Sequence, residues 1–193
     1  MPRATGPNYQ VKYRRRRKNL TDFSRRLELV KSGIPRLVVR KTNRGVIVQL
    51  LEFGGIGDKV IASVHSRDLL KFGWQPRRNL PSAYLSGLLC AKKSAAKGGS
   101  KFCADIGLQS AKGSLVFAAI KGAIDGGLKS AFSSEALLKK PIDGSPTSKY
   151  AAMLKEKSPE KYKRLFSDYL QKGINPESLP VLFAAAKEKI LSS

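Results

Sequence analysis

Residues 36–65 read RLVVRKTNRGVIVQLLEFGGIGDKVIASVH, and this stretch decides the fold of the chain. It contains three short runs rich in β-branched residues, which begin at Leu37, Val46 and Val60. Two turn signals separate the runs, at residues 42–45 and 54–58, where Asn and Gly tolerate positive φ. Short connections of this kind join neighbouring antiparallel strands, so the stretch predicts a three-stranded antiparallel meander.

Two helices and one further strand follow the meander. An apolar face predicts a helix that begins at Pro81, residues 102–108 predict a fourth strand, and residues 115–128 predict a second helix. The order β-β-β-α-β-α predicts an α/β fold. In it a parallel fourth strand joins the meander in a mixed sheet, and the helices pack on that sheet.

The flanks of this core have a different composition. Residues 1–20 predict a basic arm, with seven basic residues, no acidic residue and little apolar content. Residues 21–130 predict the α/β core domain, which opens with a helix from an N-cap at Thr21 to a stop at Gly33. Residues 131–193 predict a linker and a helical C-terminal extension, whose apolar helix faces need a core or a partner to cover them.

The charge of the chain points to a polyanionic partner. It carries 37 Lys and Arg residues against 14 Asp and Glu residues, a formal net charge of +23 over 193 residues. No stretch approaches the roughly 18 apolar residues that a membrane span needs, and the N-terminus lacks the apolar run of a signal peptide. We therefore expect a cytoplasmic, soluble protein that does not bind a membrane.

The run Arg14-Arg15-Arg16-Arg17-Lys18 makes nucleic acid the expected polyanion. Adjacent like charges repel one another and cannot pack in a core, so the run needs solvent or a polyanion around it. Arginine makes forked hydrogen bonds to phosphate, and the nearby Tyr9 and Tyr13 offer rings on which an unpaired base can stack. A solvated tail without a partner is the alternative.

Catalytic and metal-binding patterns are missing from the sequence. Cys90 and Cys103 fit no metal-ligand spacing, and the lone His65 is predicted to end a strand in a structural role. The same element order occurs in ribonuclease-H-like nucleases, which hold metals with clustered carboxylates. Here the first strand carries no carboxylate, and Asp105 and Asp125 are isolated. We predict no enzymatic activity, no cofactor, no metal and no small-molecule substrate.

Four short motifs together resemble one family. They lie at residues 9–17, 42–44, 87–89 and 121–127. In order and spacing they resemble the universal "L-eighteen" family of large-subunit ribosomal proteins that bind 5S ribosomal RNA, in its archaeal and eukaryotic form. The resemblance extends to residues 162–190, which bacterial members lack, and the short chain favours an archaeal member.

The resemblance implies a role in the central protuberance of the large subunit. There the family holds 5S RNA against the large ribosomal RNA, beside the other 5S-binding protein and neighbouring ribosomal proteins. It also implies a ribonuclease-H-like fold without catalysis. A free-standing basic nucleic-acid-binding protein, such as a chromatin or RNA-maturation factor, is the alternative function. The C-terminal helices distinguish the two, because a ribosomal protein should cover their apolar faces with its own body or a fixed neighbour.

The predicted RNA contacts are basic, aromatic and turn residues. Both the family pattern and the chemistry of the side chains imply RNA contacts by arm residues 9–18 and by the turn at residues 42–44. The predicted set is Arg3, Tyr9, Lys12, Tyr13, Arg14, Arg15, Arg16, Arg17, Lys18, Arg25, Arg26, Thr42, Asn43, Arg44, Trp74, Arg77, Arg78 and Lys112.

Overall fold

A four-stranded mixed sheet forms the centre of the computed structural model, which describes residues 6–109, 114–131 and 141–192. Its strands are β1 (Arg36–Lys41), β2 (Val46–Phe53), β3 (Asp58–His65) and β4 (Cys103–Asp105). Their order is β3-β2-β1-β4, with the first three antiparallel and β4 parallel to β1. The predicted α/β class and the predicted arrangement of the sheet are confirmed.

Two long helices cover one face of the sheet. They are α3 (Leu80–Ala95) and α4 (Ser114–Asp125), and they pack closely against each other. Along each strand, every second side chain faces the two helices. Val39, Val48 and Val64 are examples, and they are buried in the main hydrophobic core. This burial of one sheet face provides the core that the 41% hydrophobic content predicts.

The segment that precedes the sheet contains two helices, α1 (Arg14–Arg17) and α2 (Phe23–Lys31). The N-cap of α2 is Asp22 and not Thr21, because the Asp22 carboxylate accepts a hydrogen bond of 3.1 Å from the amide of Arg25. None of residues 6–20 is buried. The arm therefore gains one helical turn from local hydrogen bonds without joining the core.

A 3₁₀ helix, η1 (Ser66–Phe72), directly follows β3. His65 caps it. Its Nδ1 accepts a hydrogen bond from the amide of Arg67 at 3.0 Å, and its own amide donates to Asp68 at 3.2 Å. The predicted structural role of His65 at the end of a strand is confirmed.

Residues 141–192 form further helices that pack onto the core. They are α5 (Ser145–Lys157), α6 (Pro159–Leu165), α7 (Ser167–Gln171), the 3₁₀ helix η2 (Pro176–Ser178) and α8 (Leu179–Ser192). Helix α8 packs against α3 and η1, and α5 packs against α8. The extension thus buries apolar side chains such as Leu154, Phe166 and Ile190 against the protein's own body, whereas Leu165 and Leu170 stay exposed.

Several predicted boundaries are wrong. The predicted strand at residues 102–108 is shortened to β4, because the chain turns at Gly107, where φ is +59°. The second core helix ends at Asp125 and not at residue 128, before Gly127 at φ +103°. The division into residues 1–20, 21–130 and 131–193 stays a prediction.

Candidate nucleic-acid interface

A cleft of about 360 Å³ lies along β1, between the sheet and the segment that carries α1 and α2. We call it the arm cleft. Its basic lining residues come from three separate parts of the sequence, namely the arm, α2 and β1. They are Arg15, Arg25, Arg26, Arg36, Arg40 and Lys41. Tertiary structure therefore brings the predicted contacts Arg15, Arg25 and Arg26 together with cations of the first strand.

The floor of the arm cleft is an ion-pair network centred on Arg36, which is 3% exposed. Its Nη1 lies 2.9 Å from Asp105 Oδ2, and its Nη2 lies 2.7 Å from Asp58 Oδ2. Arg26 also pairs with Asp58, at 2.8 Å. A buried arginine needs such partners because an unpaired buried charge is strongly destabilising. Two of the six cations are thus neutralised within the protein.

The other four cations of the cleft leave it with excess positive charge. Among the described residues, Arg15, Arg25, Arg40 and Lys41 make no ion pair. Arg15 donates through Nε to the hydroxyl of Thr21, and Arg25 donates to the carbonyl of Gly107 at 3.3 Å. These neutral acceptors orient the guanidinium groups without cancelling their charge, so the groups remain able to bind phosphate.

The turn between β1 and β2 lies at the end of the arm cleft, directly after Lys41. Thr42 stabilises it, since its amide donates to the Gly45 carbonyl at 2.9 Å and its hydroxyl accepts from the Gly45 amide at 3.0 Å. Asn43 and Arg44 at the tip are exposed. Thr42 thus holds the turn, while its two neighbours present polar side chains to solvent.

Among the described residues, the predicted arm residues outside the cleft are all exposed. Tyr13 is 89% exposed and Tyr9 is 47% exposed, so both rings offer open faces. The exposed cations of the arm are Lys12, Arg14, Arg16, Arg17 and Lys18. The predicted contacts Arg3 and Lys112 lie outside the described residues.

A model of the family described as "Ribosomal large subunit proteins 60S L5, and 50S L18" matches residues 7–101. Those residues include most of the arm, together with α2 and β1, which supply the basic lining of the arm cleft. A protein of Thermofilum pendens (strain DSM 2475 / Hrk 5), named large ribosomal subunit protein uL18, is 46% identical over 190 residues, which cover 97% of each chain. This chain belongs to the uL18 family.

Membership of the uL18 family makes the chain a component of the large ribosomal subunit. The predicted ribosomal role in translation, the ribosome-bound cytoplasmic location and the archaeal or eukaryotic form are confirmed, since the matched relative is archaeal. Family membership favours this role over that of a free-standing chromatin or RNA-maturation factor. Within the described part of the chain, no helix has the length and apolar content to cross a membrane.

The uL18-family chain uses Trp74 for packing, and the prediction that this side chain contacts RNA is wrong. Trp74 is 1% exposed, and its Nε1 donates to Ser82 Oγ at 2.9 Å. Phe183 of α8 meets the indole edge to face, with ring centroids 6.0 Å apart. Exposing the indole to a base would break these contacts, so Trp74 anchors the C-terminal extension.

The neighbouring Arg77 is also engaged by the extension. It forms an ion pair with Asp168 of α7, and its guanidinium lies 5.2 Å from the centre of the Tyr169 ring. Both contacts hold Arg77 against the protein itself. The adjacent Arg78 is exposed, and it stays a candidate for RNA binding.

Sequence reasoning missed Arg40 and Lys41, which are exposed on the wall of the arm cleft. Their signal was present, because two cations interrupt the apolar pattern of β1 just before the predicted turn. The role of Arg36 had no comparable signal, since its partners Asp58 and Asp105 are distant in sequence. Its guanidinium fills the space between these two carboxylates. Among the described residues, no group of three metal-ligating side chains occurs. The lack of enzymatic activity stays a prediction.

Proposed function

We propose that this protein binds 5S ribosomal RNA through the arm and the arm cleft, and attaches it to the large ribosomal RNA in the central protuberance. The observation that carries the proposal is the convergence of basic residues from the arm, α2 and β1 on one cleft. Four of these cations have no carboxylate partner among the described residues. An RNA backbone supplies the missing negative charge.

The surface suits RNA in both charge and shape. Arg40 and Lys41 neutralise phosphates at the wall of the cleft and release condensed counterions. Tyr9 and Tyr13 stack on unpaired bases, which single-stranded loops of RNA present and regular duplexes do not. The Asn43 amide hydrogen-bonds to base edges or sugars beyond the end of the cleft. Because the ion pairs of Arg36 hold the cleft floor in place, little of the protein surface needs to rearrange on binding.

The proposal implies four kinds of partner: 5S RNA, the large ribosomal RNA, the other 5S-binding protein and neighbouring ribosomal proteins. The family resemblance supports the 5S RNA in particular, and the exposed basic surface supports RNA in general. These contacts would form within the large subunit, of which the family makes this chain a structural component.

Competition between RNAs tests the proposal. We expect the purified protein to prefer 5S RNA to transfer RNA at equal concentration. If roughly six phosphates are engaged, the affinity for 5S RNA should fall by about three orders of magnitude between about 50 and 200 mM salt. Equal affinity for the two RNAs would contradict the assignment of 5S RNA.

Two variants locate the contact surface. Replacement of residues 14–17 by glutamine, and separately Asn43→Ala with Arg44→Ala, should each weaken 5S binding and leave the melting temperature nearly unchanged, because all these side chains are exposed. A matched control replaces four exposed cations of the extension, Lys157, Lys161, Lys163 and Arg164, by glutamine. Equal losses for the arm variant and the control would mean that total charge, and not the arm cleft, governs binding.

A further inference from the structure

The lining of the arm cleft contains three buried polar atoms that lack a hydrogen-bond partner among the described residues: Arg36 Nε, Asp58 Oδ1 and Gln109 Oε1. The rest of each group is engaged. Arg36 uses both Nη atoms for ion pairs, and both arginines that pair with Asp58 contact its Oδ2. Gln109 donates from Nε2 to the Val39 carbonyl at 3.2 Å. Folded proteins pair nearly all buried polar atoms, so three such atoms in one cleft indicate a ligand site.

The neighbouring Asp105 has both carboxylate oxygens engaged. Its Oδ2 pairs with Arg36 at 2.9 Å, and its Oδ1 accepts a hydrogen bond of 3.0 Å from the amide of Gly107. Asp105 thus holds the guanidinium of Arg36 in place from one side. The three unpartnered atoms therefore belong to groups that their other contacts already orient, which lowers the entropy cost of binding a ligand.

The unpartnered atoms comprise one hydrogen-bond donor and two acceptors. The Nε–H group of Arg36 can only donate, whereas Asp58 Oδ1 and Gln109 Oε1 accept. A complementary ligand offers one acceptor and two donors. Among the four RNA bases, only guanine has this set on its Watson–Crick edge, with O6 as the acceptor and N1–H and the N2 amino group as the donors. Each of the other three bases presents a single donor group on that edge.

The surroundings of these atoms suit a nucleotide whose base points inward. A phosphate at the floor would lie against the carboxylates of Asp58 and Asp105, which repel it. The wall of the cleft, in contrast, carries Arg40, which has no ion pair with any described residue. Leu20 is 55% exposed and Leu108 is 60% exposed, and both line the cleft, where they offer apolar surface to a flat ring.

Arg26 is the member of the ion-pair network that has to move. Its side chain is 36% exposed, against 21% for Asp58 and 3% for Arg36, so it lies outermost. Asp58 keeps its ion pair with Arg36 when Arg26 turns away, and no carboxylate is left unpaired. The guanidinium of Arg26 then becomes free to bind the phosphate of the nucleotide whose base enters.

We infer that the floor of the arm cleft recognises one unstacked guanine of the RNA bound there. Arg36 Nε donates to O6, and Asp58 Oδ1 and Gln109 Oε1 accept from N1–H and the N2 amino group. The side-chain amide of a protein also offers one acceptor and two donors, but it brings no phosphate for the cations of the wall. The inference rests on the proposed function for the presence of RNA in the cleft, and it adds which base is read at the floor.

Short oligonucleotides that differ at one base test the inference. Labelled oligouridylates with a central guanosine, inosine or adenosine are titrated with the full-length protein, and their fluorescence anisotropy is measured. We expect guanosine to bind at least about tenfold more tightly than adenosine. Inosine keeps O6 and N1–H but lacks the N2 amino group, so its affinity should fall between the two. All three should show the same salt slope, because they carry the same phosphates.

Variants of Gln109 test the assigned acceptor. Gln109→Leu removes it without changing the charge, and it should reduce the guanosine preference below about threefold while the adenosine affinity and the salt slope stay nearly unchanged. Gln109→Glu retains an acceptor and should retain the preference, although its added charge weakens both oligonucleotides. The matched control is Gln49→Leu on β2, whose amide donates to Ser63 at 3.2 Å outside the cleft. It should retain the preference of the wild type.

Four results would overturn the inference: equal affinities for guanosine and adenosine, no detectable binding of either at about 50 mM salt, an inosine affinity equal to that of guanosine, or a preference that survives in Gln109→Leu. The inosine comparison uses the wild type and does not depend on the folding of any variant. Failure of the proposed function is seen separately, in the competition between 5S RNA and transfer RNA. Equal binding of these two RNAs together with a guanosine preference would contradict the assignment of 5S RNA and still support the guanine site. A preference for 5S RNA without a guanosine preference would do the reverse.

Discussion

Gly87 on α3 lies so close to Ala119 on α4 that a Cβ atom at position 87 would stand 2.0 Å from the Ala119 carbonyl oxygen. The reciprocal contact occurs at Gly122 of α4, where a Cβ atom would stand 2.0 Å from the carbonyl oxygen of Tyr84. One glycine on each helix therefore lets the two backbones touch. Both glycines belong to motifs that carry the family resemblance, so these motifs have a packing role between the two core helices.

We expect Gly87→Ala to lower the free energy of unfolding by on the order of 3 kcal/mol, because the obstructing atom belongs to a backbone that cannot move without separating the helices. Chemical denaturation measures the change. The control is Gly55→Ala in the exposed β2–β3 turn, where a Cβ atom would meet nothing within 4 Å. A Gly87→Ala variant as stable as this control would contradict the close contact.

Arg36→Ala should cost about 3 kcal/mol of stability, because it leaves the carboxylates of Asp58 and Asp105 without their shared cation in a partly buried position. Arg40→Ala, on the same strand, removes an exposed arginine that has no ion pair with any described residue, and it should cost less than about 0.5 kcal/mol. Denaturation in urea compares the two variants.

A triple variant tests the physical reason for that loss. Arg36→Met combined with Asp58→Asn and Asp105→Asn removes the cation together with both anions. It should recover most of the stability that Arg36→Ala loses, since the only charge left without its partner in this network is Arg26, which is 36% exposed. A triple variant no more stable than Arg36→Ala would show that side-chain packing, and not charge, explains the loss.

Phe183→Ala should loosen the contact between the extension and the core, and the fluorescence of Trp74 reports this contact because it is the only tryptophan. We expect a red-shifted emission, stronger quenching by acrylamide and a loss of stability of about 2 kcal/mol. Val181→Ala, at a 71% exposed position of the same helix, is the control and should leave the emission unchanged. An unshifted spectrum in Phe183→Ala would mean that the extension does not shield Trp74.

Stability above pH 10 should depend on Tyr84. Burial, followed by the hydrogen bond of 2.8 Å that its hydroxyl donates to Asp125, raises the pKa of Tyr84 above its ordinary value of about 10. The unfolded chain ionises near that ordinary value while the folded chain stays protonated, so the stabilisation is complete below pH 10 and is lost as the pH rises further. The stability advantage of the wild type over Tyr84→Phe should therefore shrink above pH 10. An advantage that is constant with pH would contradict the raised pKa.

The order of the elements could be predicted from the sequence because its causes are local. Runs of β-branched residues, turns rich in Asn and Gly, and apolar helical stripes act over a few residues, and they predict the meander, the parallel fourth strand and the core helices. The errors occur where distant residues decide the outcome. Residues 106–108 leave the predicted strand beside the arm cleft. In the predicted helical extension, two helices are divided at Phe166, whose ring packs against Tyr162 and Tyr169.

The sequence by itself determined that the chain is a basic α/β protein of a ribosomal family, because net charge, element order and motifs are properties of the covalent chain. Only the tertiary structure decided what individual side chains do. It buried Trp74 under Phe183, paired Arg77 with Asp168, and placed Arg36 between two carboxylates that are distant in sequence. Charge and aromaticity identify residues able to bind RNA. Whether they are available depends on burial and on partners that only folding brings within hydrogen-bonding distance.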